Sequence, residues 1–275
     1  MRDTKFLVEQ AAKIRKDIVQ MICKAKSGHP GGSLSAADIV TALYFSEMNI
    51  DPKNPKMEGR DRFVLSKGHA APVLYSALAE KGYFNRELLD TLRAYGSPLQ
   101  GHPDMKKVPG IEISTGSLGQ GLSVANGMAL SARISGENYR TYVLMGDGEL
   151  QEGQVWEAAM TAAHYKLDSV CAFVDSNNLQ IDGNVDKIMG INPLDKKWEA
   201  FGWNVIQIDG HNFEEILGAL DKARETKGQP TVIIANTTKG KGVSFMENVC
   251  GFHGVAPTVE ETEKAVKELE KVSEI

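Results

Sequence analysis

Cysteine is scarce: Cys23, Cys171 and Cys250 are the three thiols in 275 residues. They are scattered, odd in number and in no metal-ligand spacing, which argues against a disulfide framework and fits a reducing cytosol. A cytoplasmic protein is therefore expected. No apolar run approaches the ~20 residues that a membrane-spanning helix requires. The amino terminus carries charges throughout and opens an amphipathic helix, so neither a signal peptide nor a membrane contact is expected. Positive charge is not in surplus either. The formal net charge is −5 with both signs interspersed, and no basic stripe marks a nucleic-acid surface. Linkers rich in Pro, Gly and Ser are missing, as are repeats. With 42% hydrophobic residues the chain can bury a large α/β core, and a single domain over 1–275 is expected.

What is present centres on one stretch. Tyr142-Val143-Leu144-Met145 runs into Gly146-Asp147-Gly148, and Val170-Cys171-Ala172-Phe173-Val174-Asp175 runs into Ser176-Asn177-Asn178. Between them, Gln154 to Met160 repeats at helical spacing. A strand, helix and strand of this length form a right-handed crossover, which delivers Asp147 and Asn177 to the carboxyl edge of one parallel sheet. Ligands of open α/β sheets bind at that edge. A carboxylate and an amide oxygen are hard donors suited to Mg²⁺, which usually shares its shell with phosphate oxygens and water. Two separate surface turns would carry the same residues.

Taken in order, Phe6 to Lys26 reads as an amphipathic helix and Ser27 to Ser33 as a loop too rich in Gly and Pro to be helical. Ser35 reads as the cap of a helix running to about Glu47. Phe63-Val64-Leu65 is a short strand that turns through Ser66-Lys67-Gly68-His69 into a helix over Pro72 to Glu80. Leu88 to Tyr95 reads as a helix. The segment from Gly96 to Gly121, dense in glycine and proline, is long enough to imply a purpose. It leads into a small-residue helix from Leu122 to Ala132, whose amides can meet an anion. Its glycines do not follow the dinucleotide-binding spacing. Asn177 to Pro193 is a loop, followed by a helix at Leu194 to Phe201, a strand at Val205 to Ile208, a helix at Phe213 to Thr226 and a strand at Thr231 to Ala235. Lys239-Gly240-Lys241-Gly242 reads as a flexible solvated loop in preference to a phosphate clamp. Thr258 and Glu261 form a capping box for a last, highly charged helix ending near Val272. The alternation predicts a three-layer αβα arrangement with a mostly parallel sheet covered by helices on both faces. Four of the six histidines, His29, His69, His102 and His253, sit in glycine-containing loops, where imidazole can donate, accept and titrate. His211 stands open between an incidental and a site role, and His164, within a helix, reads as structural.

Several stretches resemble one family. They are Ser27-Gly28-His29-Pro30-Gly31-Gly32, Leu65-Ser66-Lys67-Gly68-His69-Ala70, Gly101-His102-Pro103, Thr115-Gly116-Ser117-Leu118-Gly119-Gln120-Gly121, Ile181-Asp182-Gly183 and His253-Gly254. Together with Gly146-Asp147-Gly148 and Asn177-Asn178, and in this order, they resemble the amino-terminal, diphosphate-binding domain of transketolase, over about Ser27 to Pro257. The resemblance implies a thiamine diphosphate fold and a cofactor of thiamine diphosphate with Mg²⁺, for which Ca²⁺ or Mn²⁺ are alternatives. By the same resemblance Asp147, Asn177 and the Leu179 carbonyl hold the metal. His69, His253, Gly116, Ser117, Leu118 and Gly148 contact the cofactor, with Ser117 standing where many members carry proline. His29 and His253 face the donor sugar and assist proton transfer, and His102 lies near the donor hydroxyls. Glu152 matches an acidic position that communicates with the glutamate of a pyrimidine-binding domain.

That domain and a third are expected on a separate chain, giving a heterotetramer of two plus two chains. The implied activity is transfer of a two-carbon ketol unit from a ketose phosphate to an aldose phosphate, in the pentose phosphate route or a specialised sugar pathway. The rivals are the α subunit of a 2-oxo-acid dehydrogenase, 1-deoxyxylulose-phosphate synthase and, from another class, a non-catalytic assembly subunit.

Overall fold

The computed structural model describes residues 3–272. Five strands, Arg62–Leu65 (β1), Thr141–Gly146 (β2), Val170–Ser176 (β3), Asn204–Asp209 (β6) and Thr231–Asn236 (β7), form one sheet in the order β1-β2-β3-β7-β6. Every pairing in it is parallel. Two short strands, Leu179–Gln180 (β4) and Gly183–Asn184 (β5), make a separate antiparallel hairpin.

Strand side chains alternate between two cores, as a period of two requires. Along β2 and β3, Tyr142, Leu144, Cys171 and Phe173 join one core, while Val143, Met145, Ala172 and Val174 join the other. The first is covered by helices Thr4–Ala25 (α1), Ala37–Ala42 (α3), Ala71–Lys81 (α4) and Phe213–Glu225 (α9). Helices Gly121–Ser135 (α5), Gly153–His164 (α6) and Leu194–Ala200 (α8) cover the second. Short helices Pro30–Ser35 (α2) and Val185–Met189 (α7) sit in the connections, and Val259–Val272 (α10) packs on α1. The sheet thus has helical layers on both faces, and both faces of its strands are apolar because both are buried.

The charged last helix is held by its capping box: Thr258 N–H donates to Glu261 Oε2 at 2.8 Å, and Glu261 N–H to Thr258 Oγ1 at 3.2 Å. Ala265 and Leu269 are its buried face. Four local expectations fail. The segment after His29 is helical from Pro30, because proline is suited to a first helical turn, where its missing N–H costs nothing. Ser35 therefore ends α2 and does not cap α3, whose Ala36 cap makes no side-chain bond. Arg86–Thr91 is a 3₁₀ helix followed by turns, so the α-helix expected over Leu88 to Tyr95 is not formed. The stretch from Asn177 to Pro193 holds the β4–β5 hairpin and α7. The helix reaching Glu47 ends in a π turn over Leu43–Glu47.

At the carboxyl edge the elements are tied by one buried ion pair. Lys67, after β1, reaches beneath β2 to Asp175 near the end of β3, and the two side chains are 2% and 0% exposed. Ser35 Oγ donates to Asp175 Oδ2 at 2.6 Å and Thr237 Oγ1 to Oδ1, so α2 and the segment after β7 join the same carboxylate. Burial pushes the Asp175 carboxyl up, but the Lys67 charge and the bonds from Lys67, Ser35 and Thr237 outweigh it and hold the group below the ordinary carboxylate range. Removing one partner of a buried pair strands the other charge, whereas replacing both by apolar groups does not. Asp175→Asn is expected to lower unfolding free energy by about 3–5 kcal/mol in urea titrations, and Lys67→Met with Asp175→Leu to recover most of that loss. An Asp175→Asn protein of unchanged stability would show that the pair carries no such weight.

Candidate active site

A cavity of about 310 Å³ opens at the carboxyl edge of β2 and β3, with Lys67, His69, Asp147, Asn177, Lys239 and His253 on its wall. Lys67 brings one end of the pair just described to its wall. One side is closed by the glycine-rich segment before α5, and the buried carboxylate of Glu149 holds that segment in place. Glu149 accepts from Ser66 Oγ, from Gly119 N–H at 2.9 Å and from Gly146 N–H at 3.0 Å. Ser66 Oγ in turn accepts from Gly121 N–H at 3.2 Å. The turn after β1, the end of β2 and the start of α5 are therefore one hydrogen-bonded unit. Gly116 has φ of 144° and lies under a ring: a Cβ there would stand 2.9 Å from His102 Cδ2. The position admits glycine because both the backbone and the neighbour exclude a side chain.

Three imidazoles form a triangle. Ring centroids are 5.2 Å apart for His29 and His69, 5.6 Å for His29 and His253, and 5.4 Å for His69 and His253. Burial, joined by the charges of Lys67 and Lys239 for His69 and of Lys239 for His253, lowers these rings to about 2 and about 3. His29 falls to about 4 through burial and then Arg93. All three are neutral at pH 7, so each offers one donor and one acceptor. As an ammonium, Lys239 Nζ donates to His253 Nδ1 at 2.8 Å, which leaves Nε2 as the protonated nitrogen of that ring. His29 Nδ1 is buried with no partner among the described residues.

Hard oxygen atoms gather on the opposite wall. Asp147 Oδ1 accepts from Gly148 N–H at 2.7 Å and Oδ2 from Asn178 N–H, Asn177 Oδ1 accepts from Leu179 N–H at 3.1 Å, and the Leu179 carbonyl accepts from Lys239 Nζ at 2.7 Å. Burial and the neighbouring Asp175 raise the Asp147 carboxyl to about 6, against the bonds from Asn178 and Gly148 and the charge of Lys239. It is a carboxylate short of positive charge. Among the described residues no cluster of three or more His, Cys, Asp or Glu could hold a metal. Any cation here depends on one carboxylate, one amide and one carbonyl.

Of the residues singled out in the sequence, His29, His69, Gly116, Leu118, Asp147, Gly148, Glu152, Asn177, Leu179 and His253 all line this cavity. Glu152 is exposed at the rim. His102 and Ser117 do not line it; His102 packs over Gly116, and Ser117 is exposed. His211 lies elsewhere: its Nδ1 bonds Asp38 Oδ2 at 2.7 Å, and its Nε2 accepts from Thr238 N–H at 2.8 Å. His164 ends α6 beside Tyr165. Lys239 corrects the reading of a solvated loop, being 3% exposed and inside the site. Its backbone returns over α2 through Gly240 N–H to Gly31 O at 3.0 Å, a long-range contact with no local signature. Lys67, Glu149 and Asp175 were also missed as functional residues. A carboxylate within the apolar run of β3 was the available signal, since an unpaired charge there would be costly.

The family model for the thiamine diphosphate binding domain of transketolase matches residues 8–271. An apulose-4-phosphate transketolase subunit of Phocaeicola vulgatus is 47% identical over 260 residues, 94% of this chain and 92% of that protein. The 6-deoxy-6-sulfo-D-fructose transketolase subunit SqwG of a Clostridium species is 51% identical over 265 residues, 96% of each. The transketolase structure of Campylobacter jejuni matches with a TM-score of 0.92 at 38% identity, covering 98% of this chain but 43% of that one. The chain spans under half the length of that solved relative while covering nearly all of the two shorter proteins. By the ordered motifs, the fold and these matches together, it belongs to the transketolase family, as a thiamine diphosphate binding domain.

Proposed function

We propose that this chain is the diphosphate- and metal-holding subunit of a two-chain transketolase, which transfers a two-carbon ketol unit from a ketose to an aldose. The observation that carries the reading is the cavity that brings three neutral histidines, two buried lysines and the oxygen wall of Asp147, Asn177 and Leu179 to one sheet edge. It suits thiamine diphosphate with a divalent cation: the unpartnered His29 Nδ1 and the raised Asp147 carboxyl are groups that a ligand and a cation would satisfy. When bound, thiamine diphosphate supplies the electron sink that lets a carbon–carbon bond beside a carbonyl break and re-form.

Asp147, Asn177 and the Leu179 carbonyl would hold Mg²⁺, with Lys239 Nζ yielding its place on that carbonyl. Gly148, Gly116 and Leu118 would bring backbone close to the cofactor, and His69 and His253 would donate to its diphosphate. His29 and His253 would face the sugar oxygens and move protons there, with His102 bearing on the hydroxyls from beyond Gly116. Glu152 at the rim would meet the glutamate of a partner chain. Relatives of equal length are named as subunits, and this supports a partner carrying the pyrimidine-binding domain in a two-plus-two assembly. Their names also carry a sugar phosphate and a sulfosugar, which supports an anionic ketose outside the pentose phosphate route.

Asp147→Ala is expected to abolish Mg²⁺-dependent thiamine diphosphate binding, measured by calorimetry on the assembled enzyme, with the far-ultraviolet spectrum unchanged. Wild-type affinity in that variant would make the metal assignment wrong. The assembled pair is expected to transfer a ketol unit and not to oxidise 2-oxo acids by decarboxylation, and His29→Ala to lower its turnover ~10²–10⁴-fold, as for loss of a positioned acid–base group. Decarboxylation without ketol transfer would point to the dehydrogenase chemistry instead, and full turnover in the His29 variant would reduce that residue to a loop member.

A further inference from the structure

His211 follows β6 and does not line the cavity, yet its ring is bonded at both nitrogens. Nε2 takes the Thr238 N–H at 2.8 Å, and because an amide N–H can only donate, that nitrogen carries no proton. The ring proton is therefore on Nδ1, which donates to Asp38 Oδ2 at 2.7 Å. Asp38, in α3, is itself fixed by two parallel bonds from Arg15 of α1, Nη1 to Oδ1 at 3.0 Å and Nη2 to Oδ2 at 2.5 Å. Burial pushes the Asp38 carboxyl up, but the Arg15 charge and the bonds from His211 and Arg15 outweigh it and hold the group below the ordinary carboxylate range. Arg15 already gives this carboxylate a two-pronged cationic partner. What the imidazole adds is an acceptor: a lysine or arginine in its place could bind Asp38 but could not receive the Thr238 amide.

That amide belongs to the turn that carries Lys239 into the site. The Lys239 carbonyl accepts from Asn248 N–H at 2.9 Å, and Gly240 N–H donates to Gly31 O at 3.0 Å. Two residues on, a Cβ at Gly242 would stand 3.1 Å from Arg15 Cδ, so both partners of Asp38 bear on this one turn. The lysine stem lies against Gly31, where a Cβ would stand 3.0 Å from Lys239 Cγ. Lys239 Nζ then donates to His253 Nδ1 at 2.8 Å and to the Leu179 carbonyl at 2.7 Å. Hydrogen bonds thus lead from Asp38 through the His211 ring to the Thr238 amide, and from the next side chain to the His253 ring. The bond from Lys239 decides which nitrogen of His253 carries its proton, so whatever holds Lys239 in place holds that tautomer as well.

We propose that His211 is a positioning residue for the site: by receiving the Thr238 amide it holds Lys239 on His253 and keeps His253 protonated at Nε2, the nitrogen left to donate to a ligand. Its bearing on turnover rests on the transketolase reading, so one arm of the experiment reads the rings and the other reads turnover. In the first arm the full chain, with its histidine rings labelled with nitrogen-15, is followed by long-range proton–nitrogen spectra, the two rings being assigned with His253→Gln and His211→Gln. The wild type is expected to show His211 protonated at Nδ1 and His253 at Nε2. His211→Asn keeps a donor for Asp38 but has no atom at the Nε2 position, whereas His211→Gln keeps an acceptor oxygen there. The His253 ring is expected to divide between tautomers in His211→Asn and to stay protonated at Nε2 in His211→Gln. In the second arm, kcat of the assembled enzyme is expected to fall about 10- to 100-fold in His211→Asn, the range for loss of a group that orients a ligating histidine, and to return most of the way in His211→Gln. An undivided His253 ring in His211→Asn, or equal losses of turnover in the two variants, would overturn the proposal and leave His211 a structural anchor of the turn. So would a wild-type His211 protonated at Nε2, a result that needs no variant to fold. Tautomers that behave as stated without any ketol transfer would uphold the positioning role and sink the transketolase reading alone.

Discussion

The buried pair of Lys67 and Asp175 is the constraint on which the site depends. A parallel sheet delivers several chain segments to one edge, but nothing in strand pairing fixes how those segments sit beyond the last ladder bond. Here one carboxylate does so, by accepting from Lys67 after β1, from Ser35 in α2 and from Thr237 after β7. A charge so deeply buried is tolerated because the opposite charge and two hydroxyls satisfy it. Burial, and then this same carboxylate, raise the neighbouring Asp147, so the device that orders the edge adds to an adjacent group's need of a cation.

Around that centre the chain keeps its charges in separate stations. Glu149 is spent on backbone amides and Ser66, Asp175 on Lys67, and both lysines approach histidines that their charge and burial keep neutral. Neutral imidazoles in such close contact can both donate and accept, which three imidazolium ions at such spacing could not do. An acidic protein of net charge −5 thereby places two lysines and three neutral histidines on the wall of one cavity. The effect is one of placement, not of composition.

The parts of this arrangement that depend on local periodicity were legible in the sequence. The apolar runs of β2 and β3, the stripe of α1 and the Thr258–Glu261 capping box all behave as their spacing requires, and the loop histidines other than His102 come together as their motifs implied. What escaped was long-range. Lys239 looks solvated in a Lys-Gly-Lys-Gly run, and only the return of that segment over Gly31 buries it. Ser35 looks like a cap, and only Asp175, distant in sequence, gives its hydroxyl another partner.

The proposed two-chain enzyme holds the cofactor's diphosphate on this chain and takes the carboxylate that activates the aminopyrimidine from a partner chain. Exchange of the thiazolium-carbon proton of thiamine diphosphate, followed with Mg²⁺ by quenched-flow deuteration, separates the two contributions. Exchange is expected near the rate of free cofactor with this chain alone, with a large acceleration once a partner chain carrying the pyrimidine-binding domain is added. Fast exchange with this chain alone would contradict it.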